Sequence, residues 1–498
     1  MGEAILFSCL IRYLSKTCDA SIEVSIPKRQ GHTCFYFEAM HLLPKSRVIS
    51  EIYACLFLAI PLAGAQLAQA ATSFVDTVMM GILGSQTIAA GALGALMFHV
   101  LTIVGSAILS AVSPLVAEAY GAGNGKRVGQ VVRQGWWLAL MLAIPMSLVL
   151  WYGEAVLRLM GQEPETAALA GTYLRAIVWG YFPALGFAVL RNFVSALSRP
   201  RPVIVVMVGG TLVNVAFNYI LIFGKFGLPA LGVAGIGLAS TLSLWGMFIA
   251  LGLYSLQQRS LRSYGAFNNL RQFDRSIFLE LLNVGLPIGV LAAVETSLFA
   301  IVTLLIGQLG TTLLAAHQIA LQTASMTFMI PLGVSLATTV RVGQLMGQNH
   351  PAGARLAGFV GIGISAFFMF CMGILFWAFP TQIISLYIDV TDPANATVVN
   401  LAKSLLSVAA MFQIVDGIQI SAAGALRGIK DTRVPMLIGI FTYWGLGLTS
   451  GYLLGLRFGF GGVGLWWGLA IGLLVAACVL TWRFGTAREW QLGVRSED

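Results

Sequence analysis

At 498 residues, with 58% hydrophobic and only 10% charged, the chain is too apolar for a soluble enzyme built around one large core. The net charge of +9 would suit a nucleic-acid partner, but Lys and Arg cluster in short connections between apolar runs, where they set membrane orientation instead. Direct ATP hydrolysis is unsupported: the Gly125-Lys126 pair has Tyr120 where a phosphate loop needs Gly, and Arg127 where it needs a hydroxyl.

Residues 1–50 read as a cytoplasmic N-terminal extension, loosely ordered or, with translation starting at Met40, not made at all. Segment 1–10 is apolar but too short to span, and no small-residue cleavage site follows it, so it does not read as a signal peptide. Four of the six cysteines (Cys9, Cys18, Cys34 and Cys55) precede residue 56, without metal-ligand or disulfide spacing.

A membrane helix needs about 20 apolar residues. Such runs occur at 53–82, 87–118, 131–153, 166–196, 202–224, 232–258, 276–307, 312–346, 352–379, 394–426, 433–456 and 461–484. The expected fold is therefore all-α and polytopic, with twelve transmembrane helices. With the N-terminus inside, the inner connections and helix ends collect seventeen Lys and Arg, against Arg158, Lys225 and Arg457 outside. That asymmetry, with an even helix count, places both termini in the cytoplasm of a multi-pass plasma or inner membrane protein.

The first run carries Pro61 and then Gln66, Gln69, Ser73 and Asp76 at spacings of three and four, which puts the polar groups on one helix face. The fifth carries Thr211, Asn214 and Asn218, the seventh Pro287 and Glu295, and the tenth Gln413, Asp416 and Gln419. A charge inside the bilayer costs about 3 kcal/mol on insertion scales. Asp76, Glu295 and Asp416 therefore read as cation or proton sites, with Asn214, Asn218 and the four Gln as cavity-lining groups. Interhelical hydrogen bonding is the simpler reading of the amides. Oxygen ligands suit a hard cation such as Na⁺, and a carboxylate withdrawn from water can carry a proton. None of the three acids has a basic partner within its own helix. Asp416 lies eleven residues from Arg427, about three turns away. Pro61 and Pro287 each remove a helix hydrogen bond and permit bending. His99 and His317 read as packed, hydrogen-bonded side chains.

The chain also repeats itself. Pro61 recurs as Pro287 and Tyr120-Gly121 as Met346-Gly347, both at an offset of 226; Gly235-Ile236-Gly237 recurs as Gly462-Val463-Gly464 at 227, and Arg175 as Lys403 at 228. Six helices per unit is even, so the halves are parallel repeats with a binding region expected between them near the midplane. The expected division is an extension at 1–50, a first lobe at 51–258, a linker and hinge at 259–275, a second lobe at 276–484 and a cytoplasmic tail at 485–498.

At this point the chain resembles the multidrug and toxic compound extrusion (MATE) family, in its bacterial sodium- or proton-coupled branch, over residues 50–485. The resemblance rests on Pro61 with Phe74-Val75-Asp76-Thr77-Val78-Met79-Met80-Gly81, on Val213-Asn214 with Asn218-Tyr219, and on Glu295. It rests also on Ala315-Ala316-His317-Gln318-Ile319, and on Asp416 ahead of Gly424-Ala425-Leu426-Arg427-Gly428 and Asp431-Thr432-Arg433. It implies a V-shaped two-lobe bundle that exports cationic amphipathic compounds in exchange for H⁺ or Na⁺, with no other cofactor, as a monomer among membrane lipids. It assigns Asp76, Asn214 and Asn218 to a first-lobe site, and Glu295 with Asp416 to a second-lobe cation site able to take Na⁺. Some relatives carry Asp where Asn218 stands. The alternative is a flippase of lipid-linked polysaccharide precursors with a related design, whose cavity should be lined by Arg and Lys; here only Arg175, Arg191 and Lys403 offer themselves.

Overall fold

The computed structural model describes residues 47–83, 85–227 and 229–492. The expectation for the N-terminal extension lies outside these residues, save that the first helix begins at Arg47 rather than 53. Among the described residues, twelve helices are long and apolar enough to cross a membrane. They are α1 (Arg47–Ile82), α2 (Thr87–Gly121), α3 (Gly125–Trp151), α4 (Pro164–Ala196), α5 (Arg201–Phe223), α6 (Val233–Gln257), α7 (Arg275–Gln308), α8 (Thr311–Gly347), α9 (Pro351–Ala378), α10 (Pro393–Gly428), α11 (Arg433–Arg457) and α12 (Gly461–Gly485).

Helix ends follow local chemistry. Asn124 caps α3 by accepting from the Arg127 amide at 3.1 Å, and Asp274 caps α7 by accepting from Ser276 at 3.0 Å and Ile277 at 3.3 Å. Capping side chains satisfy amides that have no partner in the first turn. The cap at Asn124 starts α3 six residues before the apolar run. The extra turn carries Lys126 and Arg127, which hydropathy assigns to a loop although long basic side chains extend from a helix end into water.

Duplication is visible in the element bounds. α3 and α9 start at 125 and 351, an offset of 226, and α6 and α12 share 228 at both ends (233 to 461, 257 to 485). The repeat is imperfect in α11, where residues Phe441–Leu448 and Leu453–Arg457 are π-helical and the corresponding α5 is regular. α11 meets α12 at glycines spaced by four on both helices: a side chain on Gly468 would run into the Gly451 backbone, and one on Gly472 into Gly447. Small residues at such spacing let two backbones approach closely in a bundle.

The halves join through α1 against α8, α2 against α7 and α2 against α8. The apolar core of the first half takes in Ile277, Leu281 and Ile288 of α7 and Val334, Ala337 and Val340 of α8. From Leu291 onward, α7 belongs to a separate core with α8, α10, α11 and α12. Shared packing is thus concentrated at the end where α1 and α7 begin. Pro61 and Pro287 stand where that packing gives out, each inside an unbroken helix; Pro145 and Pro331 are likewise interior to α3 and α8.

The 259–275 connection is less free than a hinge. Gln134 of α3 donates to the Gln272 carbonyl at 3.0 Å and Trp137 to that of Leu270 at 2.9 Å. Phe267 packs on Trp136 and Tyr264 on Phe193. The connection is docked on the first half up to the start of α7, with the Phe273 ring also packed on Trp137 of α3. Composition could not show this, because the aromatic anchors lie among polar residues that read as an ordinary loop.

Candidate functional site

In the first half, Asp76 closes a four-residue hydrogen-bonded ring drawn from three helices. Asn218 donates to Asp76 Oδ1 at 2.7 Å and to Asn214 Oδ1 at 3.0 Å. Asn214 donates to Ser240 Oγ at 3.2 Å, and Ser240 donates to Asp76 Oδ2 at 3.1 Å. Asn214 and Asn218 are fully buried. They face α1 together because they are four apart on α5, one turn. The partners of the carboxylate are all neutral, and the Tyr173 ring of α4 lies within reach of its charge. One acceptor is left over: Asn218 Oδ1 is buried with no donor among the described residues.

In the second half, α7 brings Glu295 within electrostatic reach of Asp416 on α10. Asp416 is 6% exposed, and its Oδ1 has no hydrogen-bond partner among the described residues. Gln419, one turn along, donates to the Tyr443 hydroxyl of α11 at 2.6 Å and keeps its own Oε1 unpartnered. Gln413 accepts from Thr327 of α8 at 3.0 Å. Tyr443 senses the charges of Glu295, Asp416 and Arg427 together. Glu295 has no basic partner within its own helix, but one reaches it from another. Arg427, in the last turn of α10, acts on Glu295 electrostatically from that other helix. Within α10 it remains too far from Asp416 to pair.

The two sites are not copies. At the repeat offset of 226, Asp76 corresponds to Val302 and Glu295 to Gln69. The two acids therefore sit at heights seven residues apart on equivalent helices, about 10 Å along the axis.

A family model described as MatE matches residues 61–220 and again 287–453, once in each half. A "Probable multidrug resistance protein NorM" from Synechocystis is 46% identical over 435 residues, covering 87% of this chain and 94% of that protein. One of the same name from Pseudomonas putida is 42% identical over 465 residues, covering 92% and 99%. The chain belongs to the MATE family. Its fold agrees with solved MATE structures. A eukaryotic MATE transporter, AtDTX14, superposes with a TM-score of 0.80 at 22% identity, over 91% of this chain and 99% of that one. A family member in an outward-facing conformation gives 0.80 at 20% identity, over 89% and 97%.

Within this MATE chain the remaining sequence candidates scatter. Gln66 accepts from Arg191 of α4 at 3.2 Å, and Gln69 and Ser73 are exposed with no link to Asp76. The α1 stripe is thus one face in projection that serves different neighbours along its length. Of the basic residues a flippase cavity would need, Arg175 is engaged by Glu154 at 2.8 Å. His317 is a structural pin: it accepts from Trp466 of α12 at 3.0 Å through Nδ1, and its Nε2 meets Thr303 of α7 at 2.9 Å. Thr303 already donates to the Phe299 carbonyl, so Nε2 carries the proton.

Two participants escaped the sequence reading, and a third, Arg427, entered it only as a residue too distant to pair with Asp416. Ser240 sits in an Ala-Ser-Thr stretch that reads as small-residue packing. Tyr443 sits in Phe441-Thr442-Tyr443-Trp444, which resembles an interfacial aromatic belt. Arg427 lies past the end of its apolar run. Only the pairing of a hydroxyl or phenol with an acid-bearing helix would have marked them, and pairing is tertiary.

Proposed function

We propose that this chain is a secondary antiporter that exports cationic amphipathic compounds in exchange for H⁺ or Na⁺, with both termini in the cytoplasm and its two halves rocking about the sites described above. The observation that carries the reading is the charge balance of the second half. Glu295 and Asp416 together outweigh the single guanidinium of Arg427, so full ionisation leaves one negative charge inside a membrane bundle. One proton or one Na⁺ restores neutrality. The unpartnered oxygens of Asp416 and Gln419 are the acceptors such an ion needs, and oxygen donors suit Na⁺.

The first half has a different character. The neutral ring around Asp76 holds the carboxylate in place without neutralising it, so an organic cation or a proton can alternate there. Ion and substrate need not touch, because each favours the conformation it binds better. The names of the curated relatives support multidrug export as the activity.

The test is a mutant cycle in proteoliposomes. Glu295→Gln and Asp416→Asn should each abolish ion-driven efflux of a cationic dye, with the double variant no worse than either single. Partly active singles whose losses add would mean independent roles and contradict a shared site.

A further inference from the structure

The two halves meet at one end of the bundle through contacts that the duplication itself makes reciprocal. Gly121 at the end of α2 lies against the Gln344 carbonyl of α8, and Gly347 at the end of α8 lies against the Glu118 carbonyl of α2; a Cβ on either glycine would overlap that oxygen. Both pairs of equivalents are 226 apart (118 to 344, 121 to 347). Each helix end therefore seats on the other about a local two-fold axis, as in an isologous dimer contact. A second pair follows about three turns away: Gly333 of α8 lies on the Ala63 backbone of α1, and Gly289 of α7, the repeat equivalent of Ala63, lies on Ile108 of α2.

Around this seat run ion pairs between the halves. Lys430, after α10, bonds Glu118 of α2 at 2.7 Å and lies 3.8 Å from Glu280 of α7. Arg127 of α3 grips both oxygens of Glu280 at 2.9 Å. Arg341 of α8 pairs with Glu51 of α1 at 2.8 Å, with both side chains largely buried. Gln344 adds hydrogen bonds to the Ala196 carbonyl at 2.8 Å and to Ser198 Oγ at 2.9 Å, past the end of α4. Lys430 has φ +63°, a left-handed backbone that favours glycine. A lysine held there is explained by its side chain, which links an acid from each half.

We propose that the reciprocal glycine seat and the Glu118–Lys430–Glu280–Arg127 cluster form a latch that holds the halves shut at this end and opens as one unit in the transport cycle. The latch rests on the reading that the halves rock. It adds which surfaces separate and what holds them: charge pairs around small-residue contacts, at the end where the shared apolar core also lies.

The test uses the full chain with its natural cysteines replaced. Val334 is buried in the shared core, so Val334→Cys should react slowly with a membrane-impermeant thiol reagent applied at the latched end. Lys430→Gly keeps the left-handed turn and removes the side chain with its ammonium. In that background the labelling rate should rise roughly tenfold, as the open population grows; an unchanged rate overturns the latch. In a second arm, Glu118→Cys with Lys430→Cys is bridged by a short bis-methanethiosulfonate. Bridging should stop dye efflux and reduction should restore it, whereas transport at the unbridged rate would show that this end does not open. Labelling needs neither ion nor substrate. A changed labelling rate in a protein that carries no cationic dye would therefore contradict the antiport reading and leave the latch standing.

Discussion

Asp76 is held by two donors from two different helices, and that arrangement decides what its variants should do. Asp76→Asn keeps the size and the acceptor oxygen but removes the charge. Dye efflux should fall to background while expression and thermal stability stay close to the parent; efflux at the parental rate would remove Asp76 from the mechanism. Ser240→Ala deletes one of the two donors and should cost roughly 1.5–3 kcal/mol, the scale of a hydrogen bond to a charged group, read as a lowered Tm in detergent. Tyr443→Phe strands the buried Gln419 amide. The expected penalty is about 1–3 kcal/mol, accompanied by weakened ion dependence of transport, since Tyr443 stands among the charges of the second site. A variant with parental Tm and parental ion dependence would place Tyr443 outside that site. The acids and both asparagines were legible in the sequence because polar residues are rare and costly in apolar runs. Ser240, Tyr443 and Arg427 were not, because a small hydroxyl, an aromatic near a helix end and an arginine just past an apolar run each have an ordinary explanation until the neighbouring helix is placed.

At the scale of elements, the twelve spans and their duplication follow from hydropathy and repeat offset, and the helices differ mainly where caps extend them beyond the apolar run, as Asn124 does for α3. The docking of the 259–275 connection and the π-helical stretches of α11 were hidden, since each depends on a neighbour rather than on local pattern. α11 and α12 supply an element-level prediction. Their backbones meet glycine to glycine, so Gly468→Val must push them apart. Overpacking of this kind costs about 1–3 kcal/mol, and the displacement would move Tyr443 away from Gln419. The variant should show both a lower Tm and impaired efflux. A change to Val at Gly363, where a side chain meets open space, should leave both near parental values and serves as the control. Equal behaviour of the two variants would contradict the packing argument.

For the whole molecule, the halves share a backbone plan but not a chemistry. The first half offers one acid in a neutral ring. The second offers two acids, one guanidinium and unpartnered oxygens, at a different height on the equivalent helices. With their shared packing concentrated at one end, they would form, on the proposed function, a frame in which an ion held within one half biases how both halves sit, without contact between ion and substrate. That is the central claim, and it is measured most directly with purified protein in proteoliposomes loaded with a cationic dye. The dye flux is followed under an imposed ΔpH alone, a Na⁺ gradient alone, and neither. Movement of dye against its own gradient under one of the two ion gradients, and none without, is the predicted result. Flux that only equalises dye across the membrane, whatever ion gradient is imposed, would contradict the account.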